Sequence, residues 1–153
     1  STKDKSLLSK YMGTDVEVEL PLKVNGNVIK GIANTTSSTP DNYKQIKTLI
    51  IPRGYKSIGD YAFHGCTNLE KVILPDTLKT IGKDAFSKCS SLKEIIIPDS
   101  VTDIGVNAFG CCYKLSEINL SIEDNSLTNP KISAVVIYAI YLNFFIFYFS
   151  SFC

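Results

Sequence analysis

The residues of this chain whose chemistry could support catalysis are one histidine, His64, and five cysteines. His64 lies two residues before Cys66 and four residues after Asp60, so a thiol nucleophile, a base and an orienting carboxylate are close in sequence. Catalysis would require the imidazole and the thiol to face each other. In AFHGC, the residue after the phenylalanine is expected to face solvent while the cysteine faces inward. The sequence therefore predicts a protein that is not an enzyme.

The segment that contains His64 and Cys66 is one of three copies. IGDYAFHGC at 58–66 returns as IGKDAFSKC at 81–89 and as IGVNAFGCC at 104–112, so the copies follow one another at a constant spacing. A period in the 20s is typical of a solenoid, in which a unit that cannot bury its own apolar edge stacks on its neighbours. Each shared residue is then expected to occupy one position in the cross-section of a stacked coil. The phenylalanines at 63, 86 and 109 should form a column.

The cysteines follow the same period, at Cys66, Cys89 and Cys112. On successive coils they would lie about 4.8 Å apart with parallel side chains, a geometry that does not favour a disulfide. We expect a buried column of reduced thiols, because cysteine packs as a small apolar side chain. Cys111 is expected to be the exposed neighbour. Paired C-x-x-C motifs and glycine-rich phosphate loops are missing from the sequence, which therefore predicts neither a metal site nor a cofactor.

One repeat contains two extended stretches. LKEIIIP at 92–98 alternates apolar and outward positions before the proline and predicts a short parallel strand. VTDIG at 101–105 is a second extended run, in which Gly105 is expected to allow a turn without strain at Cβ. Ala108 and Phe109 then fill the core, because the small residue gives the backbone room and the large ring buries apolar area.

The series Ile-Pro, Ile-Gly, Ala-Phe, Cys and Leu, followed by a β-branched strand such as 72–74, resembles the 23-residue leucine-rich repeats of BspA-like surface proteins. The resemblance covers residues 46–120. It implies a leucine-rich-repeat solenoid that is rich in β structure, with short parallel strands and irregular or short helical convex turns. It also implies adhesion to host proteins, to matrix proteins or to neighbouring cells.

Residues 1–14 are an N-terminal flank, and 15–45 form a degenerate first repeat or cap. Within the cap, residues 17–34 place two β-prone runs around Asn25-Gly26, a strong signal for a β-hairpin over the open core. Thr39 and Pro40 stand where the repeat would have alanine and phenylalanine. The copy is therefore expected to be imperfect at its aromatic position.

After the repeats, residues 121–131 are a polar linker, 132–149 are uncharged and apolar, and 150–153 are a short tail. The apolar segment meets the lower length limit for a membrane-spanning helix. It could instead fold back to cap the last repeat, or be a non-native, aggregation-prone end. The chain begins at Ser1 without a basic-then-apolar leader, so either a leader has been removed or the chain is a fragment.

Overall charge gives no indication of a nucleic-acid partner, since 16 basic side chains nearly balance 15 acidic ones. The expected partner is a protein, bound by the outward face of the parallel strands. Alternation assigns two outward positions per strand: Thr48, Ile50, Lys71, Ile73, Glu94, Ile96, Glu117 and Asn119. An apolar row with a charged margin suits a protein partner, although exposed strands also favour β-branched residues for their own sake.

The resemblance implies a location at the cell surface or at a membrane. Lys131 is the only charged residue from position 129 onward, and a lysine before an apolar run favours a cytoplasmic body. The alternative hypothesis is therefore an intracellular leucine-rich-repeat scaffold that binds a protein partner through the same face.

Overall fold

The computed structural model describes residues 7–8, 13–36 and 41–120, which form a parallel β-solenoid. Each coil contributes one strand to each of two five-stranded sheets. The first sheet contains the strands β2 (Glu17–Glu19), β6 (Thr48–Ile50), β8 (Lys71–Ile73), β10 (Glu94–Ile97) and β12 (Glu117–Leu120). The second contains β1 (Leu7–Leu8), β5 (Gly31–Ile32), β7 (Ser57–Ile58), β9 (Thr80–Ile81) and β11 (Asp103–Ile104). The predicted leucine-rich-repeat solenoid is confirmed.

The period of the sequence repeat is also the register of both sheets. In the first sheet Thr48 pairs with Lys71, and Lys71 pairs with Glu94. In the second sheet Ser57 pairs with Thr80 in the same way. Each residue therefore lies beside its counterpart in the next coil, and the inward positions of every strand meet in a continuous buried core.

Phenylalanine rings form the predicted column at the centre of that core. The centroids of Phe63 and Phe86 are 5.4 Å apart with an interplanar angle of 13°, and those of Phe86 and Phe109 are 5.6 Å apart at 2°. Tyr43 covers the N-terminal end of the column, 6.2 Å from Phe63. Tyr43 lies one repeat period before Cys66, so a large ring at the cysteine position supplies the aromatic contact in the imperfect copy.

The convex turns are irregular, yet they too are paired from coil to coil. The amides of Tyr61, Phe63 and Gly65 donate to the carbonyls of the next turn at 2.7–2.9 Å. Two positions in each turn have positive φ, which for most non-glycine residues costs about 1–2 kcal/mol. They are Tyr61, Asp84 and Asn107 at one position and Gly65, Lys88 and Cys111 at the other. The hydrogen bonds between turns hold this backbone in place despite the strain. The described chain has one short helix, a 3-10 turn at Asp41–Tyr43.

The repeated glycine has a different role from the one expected. Gly59, Gly82 and Gly105 do not have positive φ. A Cβ on Gly82 would lie 2.5 Å from the amide nitrogen of Asp60, and one on Gly105 would come closer still to that of Lys83. Glycine is therefore required because the backbones of adjacent coils approach too closely for a side chain.

Of the hairpin predicted over 17–34, only the centre is antiparallel, as β3 (Lys23–Val24) and β4 (Asn27–Val28), and the prediction that the whole segment caps the open core is wrong. The turn residues Asn25 and Gly26 both have positive φ, at 49° and 77°, as a two-residue hairpin turn requires. On either side of the hairpin, β2 pairs with β6 in the first sheet and β5 pairs with β7 in the second. The hairpin is therefore an insertion within a complete coil, and the Tyr55 hydroxyl ties it to the body by donating to the Pro21 carbonyl at 2.8 Å.

The linker at 121–131 and the apolar segment at 132–149 lie outside the described residues. Within the ranges 7–8, 13–36 and 41–120, no helix combines the length and apolarity that crossing a membrane demands.

Phe86→Ala should lower the free energy of unfolding by about 3–5 kcal/mol, because it leaves a cavity between two stacked rings. Urea denaturation followed by circular dichroism measures this change. Tyr113→Ala, which removes an exposed aromatic ring, is the matched control and should change stability little. Equal losses in the two variants would contradict the structural role of the phenylalanine column.

Candidate functional site

The structure does not aim Asp60 at His64. One carboxylate oxygen of Asp60 accepts a hydrogen bond from the backbone amide of Lys83 at 2.8 Å, so this side chain links two coils. The imidazole packs edge-on against Tyr61, with ring centroids 5.8 Å apart. His64 was expected to face solvent, but it is half-buried, and its Nδ1 is buried without a hydrogen-bond partner among the described residues.

The three periodic cysteines form the predicted buried column, and all are free thiols. The thiol of Cys89 donates to the Phe63 carbonyl at 3.3 Å, and that of Cys112 donates to the Phe86 carbonyl at 3.2 Å. Burial raises the pKa of Cys112 to about 12 and raises that of Cys89 well above its ordinary value. Cys89 and Cys112 therefore remain protonated and act as packing groups.

Cys111 is not the exposed neighbour of Cys112 that the sequence predicted. It lies in the convex turn with positive φ, and its side chain is only 8% exposed. In the described part of the chain, no three side chains of histidine, cysteine, aspartate or glutamate converge in a way that could hold a metal ion.

The outward positions of the first sheet form a surface, here called the strand face. Thr48 and Ile50 are partly exposed, and Lys71 and Glu94 are exposed. Ile73 and Ile96 are 43% and 56% exposed and occupy equivalent positions of neighbouring strands, so they form a contiguous apolar patch. The isoleucine column, defined as Ile50, Ile73 and Ile96, runs across the middle strands. Glu117 and Asn119 take the corresponding backbone positions in β12, where they pair with Glu94 and Ile96.

Two residues of the strand face were missed by sequence reasoning, Glu17 and Glu19. Both are exposed, and they pair with Thr48 and Ile50. They extend the face to five strands, or roughly 19 Å across four strand spacings of about 4.8 Å. The alternation in EVE at 17–19 is the signal that could have revealed them. The inserted hairpin hid it, because the offset from β2 to β6 is larger than one repeat period.

A shallow groove of about 630 Å³ lies along the charged side of the strand face. The residues just before the strands line it and alternate in charge from coil to coil, with Lys47, Glu70 and Lys93 in sequence. The ammonium of Lys93 lies 2.9 Å from the carboxylate of Glu70. This hydrogen bond and the positive charge of Lys93 lower the pKa of Glu70. The face thus combines an apolar row with a margin of mixed charge.

A family model described as "BspA type Leucine rich repeat region (6 copies)" matches residues 38–151. The matched range continues past Leu120 and includes the apolar segment at 132–149. Among curated proteins, none matches this chain.

Several solved structures are similar to this chain. A leucine-rich repeat protein from Bacteroides capillosus has 27% sequence identity and a TM-score of 0.61, over 72% of this chain and 80% of that one. The T. pallidum leucine-rich repeat protein TpLRR has 27% identity and a TM-score of 0.54, over 73% of this chain and 62% of that one. The pneumococcal vaccine antigen PcpA has 27% identity and a TM-score of 0.60, over 77% of this chain and 28% of that one. The chain therefore spans less than two thirds of the T. pallidum protein and of PcpA.

In the folded protein, Cys89 and Cys112 should resist alkylation by iodoacetamide at mildly alkaline pH and react once guanidinium unfolds the chain. Peptide mass spectrometry measures both states.

Unfolded thiols ionise near pH 8.5, whereas the folded Cys112 keeps its proton to about pH 12. The contribution of this thiol to stability is therefore complete below about pH 8.5 and decreases as pH rises towards 12. Cys112→Ala should weaken that pH dependence, and rapid alkylation of the native thiols would contradict the buried column.

Proposed function

The chain belongs to the BspA-type leucine-rich repeat family, and on that premise we propose that it is a non-catalytic module that recognises a protein partner through its strand face. The partner is a host, matrix or neighbouring-cell protein, and the module is displayed at a cell surface. Similarity to a pneumococcal vaccine antigen supports display, and the repeat fold supports a role in protein interaction.

The observation that carries this proposal is the exposed isoleucine column. Solvation of apolar side chains on a folded surface is unfavourable, and complete burial of one isoleucine side chain is worth about 1.5–3 kcal/mol. Ile73 and Ile96 are adjacent in the column and share one side of the sheet. A partner that covers both gains apolar burial from a rigid surface, without the entropy cost of ordering a loop.

Charged side chains beside the isoleucine column can orient the partner. Lys71 and Glu94 are directly paired positions of opposite charge, and the groove continues this mixture with Lys47, Glu70 and Lys93. Exposed ion pairs contribute little to stability, which leaves these groups free to select a complementary surface.

The strand face is small for a complete interface. A span of roughly 19 Å, multiplied by the roughly 10 Å length of a three-residue strand, gives about 200 Å². A standard interface buries about 800 Å² per partner. The adjoining groove must therefore contribute to binding, and a single domain is expected to bind weakly, with clustering of copies increasing avidity.

A double variant, Ile73→Glu with Ile96→Glu, should weaken binding to its partner at least tenfold, or about 1.4 kcal/mol. Biolayer interferometry against immobilised fibronectin, laminin and collagen measures this effect. Val106→Glu is the control, because Val106 is 65% exposed on a convex turn, away from the strand face. The proposal fails if the wild-type chain binds none of these proteins, or if the control loses binding to the same extent.

Protease treatment of intact cells tests the location separately. A displayed module should be digested while a cytoplasmic marker protein survives. Survival of the repeat domain would instead favour the intracellular scaffold.

A further inference from the structure

Charged residues at neighbouring positions of successive coils mostly alternate in sign. Arg53 lies 3.0 Å from Asp76 in the next coil, and Lys93 lies 2.9 Å from Glu70. Such pairing is expected, since like charges directly opposite each other on adjacent strands are destabilising.

Pairs of like charge do occur, as at Glu94 and Glu117, and one column carries three like charges in a row. Lys30, Lys56 and Lys79 immediately precede β5, β7 and β9, and we call them the lysine column. The amide of Lys56 donates to the carbonyl of Lys30 at 2.6 Å, and the amide of Lys79 donates to the carbonyl of Lys56 at 2.8 Å. The three backbones are therefore adjacent, about 4.8 Å apart. Among the described residues, no other column has three consecutive charges of one sign.

In the described part of the chain, no carboxylate forms an ion pair with these lysines. All three lysines are exposed, and within the described ranges none of their ammonium groups lies within 4.0 Å of a carboxylate oxygen. The next position along the column is Thr102, whose hydroxyl donates to the carboxylate of Asp103 at 2.7 Å. That carboxylate marks the C-terminal end of the positive surface. The three ammonium groups therefore repel one another and are accessible to an anion from solvent.

We propose that the lysine column binds a linear anionic polysaccharide, with the polymer running along the solenoid axis. A chain with carboxylate or sulfate groups on successive sugar rings can neutralise all three ammonium groups while remaining extended. The adjoining positions Ser57 and Thr80 are partly exposed and present hydroxyl groups that can hydrogen-bond to sugar hydroxyls.

Two other polymers fit less well. Single-stranded nucleic acid is normally held by aromatic side chains on which the bases stack, and the column next to the lysines contains Ser57 and Thr80 in place of aromatic residues. In an extended acidic peptide, side chains on one face recur about every 6.6 Å, which does not match a ladder of about 4.8 Å. The lysine column borders the second sheet, so this binding does not use the strand face.

Binding to immobilised heparin by the full chain tests the proposal. Lys56→Gln with Lys79→Gln should weaken binding at least tenfold. Lys83→Gln with Lys114→Gln removes the same charge from exposed positions outside the column and should change binding less than twofold. Circular dichroism melting curves should show that both variants fold. Equal losses of affinity in the two variants would show that binding depends only on net charge and would contradict a specific site at the lysine column.

A gain-of-function variant avoids any ambiguity from misfolding. Thr102→Lys extends the column to four positions and should tighten heparin binding at least threefold. It should also steepen the dependence of log K on log salt, because one further contact releases additional counterions. Unchanged binding would contradict recognition along the axis. Tighter binding of a single-stranded oligonucleotide than of heparin, lost in the Lys56/Lys79 variant, would reject the polysaccharide assignment.

Discussion

The structure depends on stacking like upon like at a constant register. Parallel hydrogen bonds join each strand and each convex turn to its counterpart in the next coil, so any side chain meets the equivalent side chain above and below it. Small residues must stay small where backbones touch, as at Gly82 and Gly105, and large rings must stack, as at Phe63 and Phe86. A repeat that satisfies these contacts once satisfies them in every coil, which is why the period does not drift.

The same register organises the surface. Because equivalent outward positions of successive coils lie side by side, a residue type that recurs at one repeat position forms a column along the solenoid axis. The isoleucine column on the first sheet and the lysine column bordering the second are two results of this recurrence, one apolar and one cationic. They face different surroundings because the two sheets form different sides of each coil. The proposed protein-binding and polysaccharide-binding roles can therefore coexist on one small domain.

Residues whose chemistry could support catalysis instead hold neighbouring coils together. Cys89 and Cys112 donate to carbonyls of the preceding coil and keep their protons because burial raises their pKa values. Asp60 accepts a hydrogen bond from the backbone amide of Lys83. In a stacked repeat, a reactive residue is surrounded by copies of its own position, so the unlike groups needed for an active site are seldom brought together.

The sequence alone determined the period, the parallel strands, the phenylalanine and cysteine columns and the hairpin turn at Asn25-Gly26, because all of these follow from local spacing and residue type. It also predicted the eight positions of the candidate face, of which Lys71, Ile73, Glu94 and Ile96 are exposed. Only the tertiary structure decided that β2 and β5 complete a further coil, that Tyr43 covers the aromatic column, that Cys111 is buried and that Lys30 joins Lys56 and Lys79. Each of these depends on contacts between residues whose separation differs from the repeat period or on packing around a convex turn. Hydrogen bonding across an insertion restores a register that the linear spacing of residues conceals.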